Sequence, residues 1–274
     1  MSWIDFKPGG GPLKLAESRS ETDAFGLRVG RLNVSSSCMH IGDVCFALEA
    51  LDLYDIVVLR YPAQRIDWFG ALTFDSHATL YADSMVYWST DLSELDLSST
   101  PRRGDLVLRP ATRDDLDSVL RIVNVVFESY QNHYSANPLM SGRSTTDGYV
   151  EWAAGLLNVQ STDLLLAQRE IEGIVGFAAV GHFEAIGEID AHSEVLLAGI
   201  APDSRQLGLY SQLLASVERH SATLGSKQLV ISTQVANNSA QRQWARAGWL
   251  PELAITTVHL VRRSLLPGLR SDHE

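Results

Sequence analysis

The clearest pattern of apolar and polar positions lies in the second half of the chain. Glu194-Val195-Leu196-Leu197-Ala198-Gly199-Ile200 is a short, almost continuous apolar run, broken at Pro202, Asp203 and Ser204, and it predicts a buried strand closed by a turn. From there Leu209, Leu213, Leu214, Val217 and Leu224 recur at helical spacing, which predicts a helix with one stripe against a sheet. Between the two, Arg205-Gln206-Leu207-Gly208-Leu209-Tyr210 opens the helix where backbone N–H groups have no intrahelical partner. Such a corner favours a phosphate. A strand over Gln228 to Val235, a helix ending at Arg246-Ala247-Gly248-Trp249 and an alternating strand over Leu253 to Val261 follow.

The first half reads as a separate series. Residues 1 to about 22, with Gly9-Gly10-Gly11-Pro12, are expected to be irregular. Phe25, Leu27 and Val29 alternate with Gly26, Arg28 and Gly30, predicting a strand to Asn33. His40 to Leu53 carries a helical stripe of Ile41, Val44, Cys45, Leu48 and Leu51. A short buried strand (Asp55 to Tyr61), a short helix (Ala63 to Phe74) and a longer strand (His77 to Leu92) complete it. Trp68, Tyr87 and Trp88 are expected in the core, since no basic residues interleave with them as on a nucleic-acid stacking surface. The Ser- and Asp-rich stretch from Leu92 to Asp105 reads as a linker.

A new unit begins with a strand over Leu106 to Ala111. Thr112 and Asp115 form a capping box before a helix whose inner face is Leu116, Val119, Leu120, Val123, Val126 and Phe127. A loop (Tyr130 to Arg143), a helix (Thr145 to Leu157) and a hairpin (Leu164 to Arg169, Ile174 to Gly181) lead to the central strand. The class is therefore α/β (α+β), with one unit over 1–100, a second over 106–262 and a tail over 263–274.

Composition narrows the partners. The chain has 274 residues, 33 acidic against 22 basic, for a net charge of −11, which argues against nucleic-acid binding through a broad basic face. A few local arginines and a helix N-terminus still suffice for an anionic small ligand. Cys38 and Cys45 cannot build a disulfide framework, no apolar run reaches membrane length, and the N-terminus lacks a signal-peptide core. A cytoplasmic protein without membrane partners is expected, and no metal is.

The stretch around Arg205 and Gly208 resembles the acyl-CoA loop of the GNAT superfamily, which has Arg or Gln, two residues, Gly, one residue, then Gly or Ala; Tyr210 departs from that last position. The surrounding order of elements matches too, from the strand with Arg109-Pro110-Ala111 before a capped helix to the closing Gly248-Trp249. The resemblance implies a GNAT fold with a mixed central sheet over 106–262, preceded by a smaller, truncated GNAT-like unit. It implies acyl-CoA as co-substrate. Leu197, Ala198, Gly199 and Ile200 would flank the thioester, with Gly199 letting the ligand approach, and the N–H groups of Gln206, Leu207, Gly208, Leu209 and Tyr210 would hold the pyrophosphate beside Arg205. Asn237 matches a family asparagine that reaches the CoA arm; capping the following helix is the equal alternative.

Acyl transfer to an amine needs a proton acceptor and donors for the developing oxyanion. The segment from His182 to Glu194 offers Glu184, Glu188, Asp190, His192 and Glu194. Glu194 lies eleven residues before Arg205, the offset of the catalytic glutamate in histone-type GNATs, and His192 has the better intrinsic pKa. Trp244 stands where the family has a thiolate-protonating tyrosine, seven residues after Asn237 and four before Gly248; that role is either missing, filled by water, or moved to a residue such as Tyr210.

The two-unit layout, Asp23-Ala24-Phe25-Gly26 and Gly148-Tyr149-Val150-Glu151-Trp152 resemble the dTDP-fucosamine acetyltransferase group of sugar-nucleotide N-acyltransferases. That resemblance implies transfer from acetyl-CoA or 3-hydroxybutanoyl-CoA to a dTDP-linked amino-dideoxysugar for O-antigen or surface polysaccharide synthesis. His133, Tyr134, Tyr149 and Trp152 are then the acceptor-site candidates. A GNAT acting on a protein, peptide or other small amine, and a CoA-binding module without catalysis, stay open, as does the assembly state, a homodimer included.

Overall fold

The computed structural model describes residues 2–8, 13–98, 106–128, 130–140, 145–205 and 208–266. In chain order it runs β1 (Ala16–Glu17), α1 (Arg19–Phe25), β2 (Val29–Asn33), α2 (Ile41–Ala47), β3 (Ile56–Pro62), the single turn α3 (Trp68–Ala71) and β4 (His77–Asp91). Then come β5 (Val107–Pro110), α4 (Leu116–Phe127), α5 (Thr145–Leu156), β6 (Thr162–Arg169), β7 (Gly173–Phe183), β8 (His192–Ile200), α6 (Leu209–Thr223), β9 (Gln228–Gln234), α7 (Asn238–Arg246) and β10 (Leu250–Arg262). The expected α/β class with mixed sheets is what the chain forms. No described helix is long and apolar enough to cross a membrane.

Two compact units divide the chain. One holds Met1–Val86, Gln131–Arg143 and Leu253–Glu274; the other holds Tyr87–Tyr130 and Ser144–Glu252. In the first unit β1 is antiparallel to β2, β2 parallel to β3, and β3 antiparallel to β10 from Ile56↔Val261 to Pro62↔Ile255. β3 is buried at every position because both its faces are covered. Val57, Leu59 and Tyr61 pack with Val44, Leu48 and Trp68, while Ile56 and Val58 pack with Val29, Val261 and Met140. Period-two alternation with two dry faces gives the continuous apolar run seen in the sequence.

Several N-terminal expectations are corrected. The stretch expected to be irregular contains a 3-10 turn, Trp3–Phe6, with both Trp3 and Phe6 buried, and then β1 and α1. α1 includes Phe25 and ends at Gly26 in the left-handed region (φ 64°), so the predicted strand starts only at Val29. The predicted helix over His40 to Leu53 is α2 followed by a separate 3-10 turn, Leu51–Leu53. The Leu48 N–H is shared between the Val44 and Cys45 carbonyls, which tightens and ends α2. Ala63 to Phe74 yields only α3. Residues 99–105 of the expected linker lie outside the described residues.

In the second unit β5, β6, β7 and β8 pair antiparallel in turn, and β8 pairs parallel with β9. The Thr112–Asp115 capping box forms, and Arg109 grips the Asp115 carboxylate with two nitrogens at 2.7 and 2.6 Å. One face of the sheet packs Leu164, Leu166, Phe177 and Leu197 under Val119, Val123 and Phe127 of α4 and Ala153 and Leu156 of α5. The other packs Leu165, Ala178, Val180 and Leu229 under Leu213, Leu214 and Val217 of α6 and Trp244 of α7. Each large apolar side chain so buried contributes about 1.5–3 kcal/mol. The helical stripe overshoots at its end: Leu224 is exposed beyond the last turn of α6.

Candidate active site

β8 and β9 begin side by side and then part. Their parallel ladder runs from His192↔Gln228 to Val195↔Ile231 and stops, although β8 continues to Ile200 and β9 to Gln234. The cause is one residue. Along β7 the register shifts so that Ala179 faces Leu197 and Val180 faces Val195, leaving Leu196 as an inserted residue on β8. A bulge bends its strand and increases its local twist. Leu196 follows directly on the last β8–β9 pair, so the bend falls where the ladder ends. Past it, the edge of Leu197, Ala198, Gly199 and Ile200 runs without a β9 ladder.

Gly199 has a different reason from the one expected. A Cβ built there would sit 2.3 Å from Cγ1 of Val126 on α4, so the missing side chain admits α4 rather than a ligand on that face. Gly208 caps α6 with φ 69°, a left-handed conformation that suits glycine. The next residue, Leu209, is buried and anchors the helix. Arg205 lies before it with Nε donating to the Ile200 carbonyl at 3.4 Å. Gln206 and Leu207 lie outside the described residues.

Two hydrogen-bonded groups connect these elements. Trp244 Nε1 donates to Tyr210 Oη at 3.1 Å, and Trp88 meets the Trp244 ring edge-on at 6.1 Å. Burial raises the Tyr210 hydroxyl, the bond from Trp244 lowers it, and the net is a pKa of about 12. Asn237 Oδ1 accepts from the Ala240 N–H at 3.2 Å, capping α7, while its Nδ2 donates to Thr233 Oγ1 at 3.0 Å. Thr233 Oγ1 in turn lies 3.2 Å from Tyr130 Oη. Sequence reasoning missed Tyr130 and Thr233: they are 103 residues apart, and no local pattern joins them.

His192 and Glu194 are brought together but lie before the bend. The Glu194 carboxylate is 3.5 Å from His192 Nε2, both side chains are buried, and His192 stacks on Phe183. Glu194 stands opposite Gly181 on one side and Val230 on the other. Tyr149 and Trp152 share α5: Tyr149 stacks on Phe127 with centroids 4.2 Å apart, and Trp152 is 42% exposed.

His133 and Tyr134 belong to the first unit and to a buried polar network. Tyr134 Oη donates to Glu21 Oε1 at 2.6 Å, and Arg31 binds both Glu21 oxygens at 2.5 and 2.6 Å. Burial alone would raise the Glu21 carboxyl; the Arg31 contacts outweigh it and hold the pKa at about 2. Arg60 donates to His133 Nε2 at 2.9 Å, and His133 Nδ1 is 2.9 Å from His259 Nε2. Burial, reinforced by Arg60, keeps His133 well below the ordinary histidine value and His259 at about 3, so both are neutral.

No protein-family model and no curated protein sequence matches the chain. Solved structures do. A functionally unknown conserved protein from Staphylococcus epidermidis superposes with a TM-score of 0.61 at 10% identity, covering 95% of this chain and 96% of its own. A GCN5-related N-acetyltransferase from Kribbella flavida gives 0.54 at 12% identity, covering 86% and 81%. A Drosophila protein gives 0.54 at 12% identity, covering 88% and 75%. Identities this low speak for the fold alone. Together with the parting of β8 from β9, they establish that this chain has the fold of the GCN5-related N-acetyltransferases, the GNAT fold.

Proposed function

We propose that this protein is an acyl-CoA-dependent N-acyltransferase. The observation that carries the reading is the end of the β8–β9 ladder at Val195↔Ile231, with the Leu196 bulge turning the rest of β8 aside. A pantetheine arm carries amide groups along a thin chain and pairs with such an edge as a strand would. Leu197, Ala198, Gly199 and Ile200 then flank the thioester. The N–H groups of Gly208, Leu209 and Tyr210, which open α6, take the pyrophosphate, and those of Gln206 and Leu207 with Arg205 are assigned to it by the resemblance. Asn237 reaches the arm while it caps α7.

In the reaction the acceptor amine attacks the thioester carbonyl, a C–N bond forms and the C–S bond breaks. A backbone N–H near Gly199 stabilises the oxyanion. The amine proton passes to Glu194, or to His192 beside it, directly or through water. The departing thiolate takes a proton from water or from the Tyr210 hydroxyl, which solvent then reprotonates. The acceptor class is a dTDP-linked amino-dideoxysugar, supported by the resemblance around Gly148 to Trp152 and by the exposure of Trp152; acetyl-CoA or 3-hydroxybutanoyl-CoA is the donor.

The test is free thiol release from each donor with dTDP-amino sugars, with peptides and with no acceptor, beside calorimetry with coenzyme A. Sugar-dependent thiol release is expected. Release with peptides alone moves the acceptor class to proteins. Heat with coenzyme A but no release with any acceptor favours a binding module, the second reading, for which Trp244 in place of a tyrosine speaks. No heat and no release ends the proposal.

A further inference from the structure

Asp163, His182 and His220 converge in the second unit from three different elements. Asp163 is on β6, His182 on β7 and His220 on α6, and one candidate ligand atom from each lies within 4.8 Å of the others. The same carboxylate oxygen, Asp163 Oδ2, is 3.1 Å from His182 Nε2 and 2.7 Å from His220 Nε2. We propose that these three side chains form a binding site for one divalent transition-metal ion of the zinc type, which ties β6, β7 and α6 together.

Donor chemistry selects the ion. Two imidazoles and one carboxylate suit zinc and its neighbours, whereas calcium and magnesium take oxygen ligands. Ligand atoms about 2.0 Å from a tetrahedral zinc stand roughly 3.3 Å apart, so the two measured separations are a little short of coordination distances. Small side-chain rotations open them. His182, Asp163 and His220 are each partly exposed, which provides an entry path and room for water in the remaining positions.

The ring behind the site is already oriented. His182 Nδ1 lies 2.9 Å from Ser193 Oγ, and Ser193 Oγ lies 2.7 Å from Ser226 Oγ, with both serines buried. With its proton on Nδ1, His182 donates to Ser193 and Ser193 to Ser226, which leaves the Nε2 lone pair aimed at the ion. Metal-binding histidines are held by this kind of partner. The position argues for a clip rather than for chemistry. His220 is eleven residues beyond Leu209, ~16 Å along the axis of α6, at the opposite end from its opening turn. The proposal therefore stands apart from the acyl-transfer reading.

Full-length protein stripped with chelator should bind one zinc ion per chain by calorimetry, and cobalt should give the visible spectrum of a low-coordinate site. Zinc should also raise the melting temperature, since an ion that binds only the folded state stabilises it. His220→Gln and Asp163→Asn should weaken binding at least ~100-fold, and Ser193→Ala by 10–100-fold, the typical effect of removing an outer partner. Magnesium and calcium should not compete. Absence of saturable binding in the unaltered protein, an unchanged melting temperature at saturating zinc, or equal binding by the His220 and Asp163 variants would each overturn the site and leave a pair of imidazole–carboxylate hydrogen bonds.

Discussion

The indole N–H of Trp244 is spent on the hydroxyl oxygen of Tyr210, 3.1 Å away, so the indole positions that tyrosine. Tyr210 keeps its own O–H for a different acceptor. Tyr210→Phe should lower kcat by ~100-fold or more if this hydroxyl protonates the thiolate, with little change in the KM for acyl-CoA. Because the hydroxyl stays protonated up to about 12, acyl transfer by the unaltered protein, under the proposed function, should show no loss of rate from this group below that pH. Leaving the Trp244 N–H without its acceptor should also cost about 1–3 kcal/mol of stability. Full turnover in the phenylalanine variant would remove Tyr210 from the mechanism.

Gly199→Ala drives a methyl group into Val126 and should destabilise the protein by about 1–3 kcal/mol in denaturant titrations. Val126→Ala vacates the space, so the double variant should recover much of that loss. Additive single effects in the mutant cycle would contradict the packing explanation.

Asn237 caps α7 and, under the proposed function, also reaches the acyl-CoA arm. Asn237→Ala removes the acceptor for the Ala240 N–H and should cost about 1 kcal/mol, while Asn237→Ser retains a cap. The serine variant should melt near the unaltered protein yet, if Asn237 contacts the arm, show a raised KM for acyl-CoA, since serine lacks the amide that would make that contact. An unaltered KM would confine Asn237 to its cap.

Acid should loosen the first unit in two stages. His133 and His259 are held neutral in the folded state, whereas unfolded histidines take up protons near pH 6.5, so stability falls as the pH drops below about 6.5 toward 3. Glu21 has a folded pKa depressed to about 2 from 4.5, so its contribution, about 3 kcal/mol, is present above pH 4.5 and disappears between there and pH 2. Urea unfolding followed at pH 7, 5.5 and 4 should show the first stage, and His259→Gln should flatten it. A stability constant from pH 7 to pH 4 would count against buried neutral imidazoles.

The legible parts of the chain were those whose signal is local. β6 to β9 and α6 announced themselves because a strand buried on both faces reads as an apolar run and a helix against a sheet reads as a stripe. α1 escaped because Arg19-Ser20-Glu21-Thr22-Asp23 offers no apolar stripe, and its buried member is Glu21, held by Arg31. The Leu196 bulge escaped because an inserted residue inside Val195-Leu196-Leu197 leaves the run apolar and only shifts its register. Tyr134 meets Glu21, His133 meets His259 and Tyr130 meets Thr233 each across more than 100 residues, and such pairings are made by tertiary structure alone.

Leu196 has one more consequence. Two strands that separate inside a sheet create a seam of backbone groups walled on both faces, by Val126 of α4 over Gly199 and by Leu209 of α6 packed near Ile200. A peptide strand laid along such a seam would project its side chains toward both walls. Under the proposed function, a slender amide tether with few side groups fits that seam better. On that reading selection works by thickness, and discrimination between thioesters falls to the two ends of the tether.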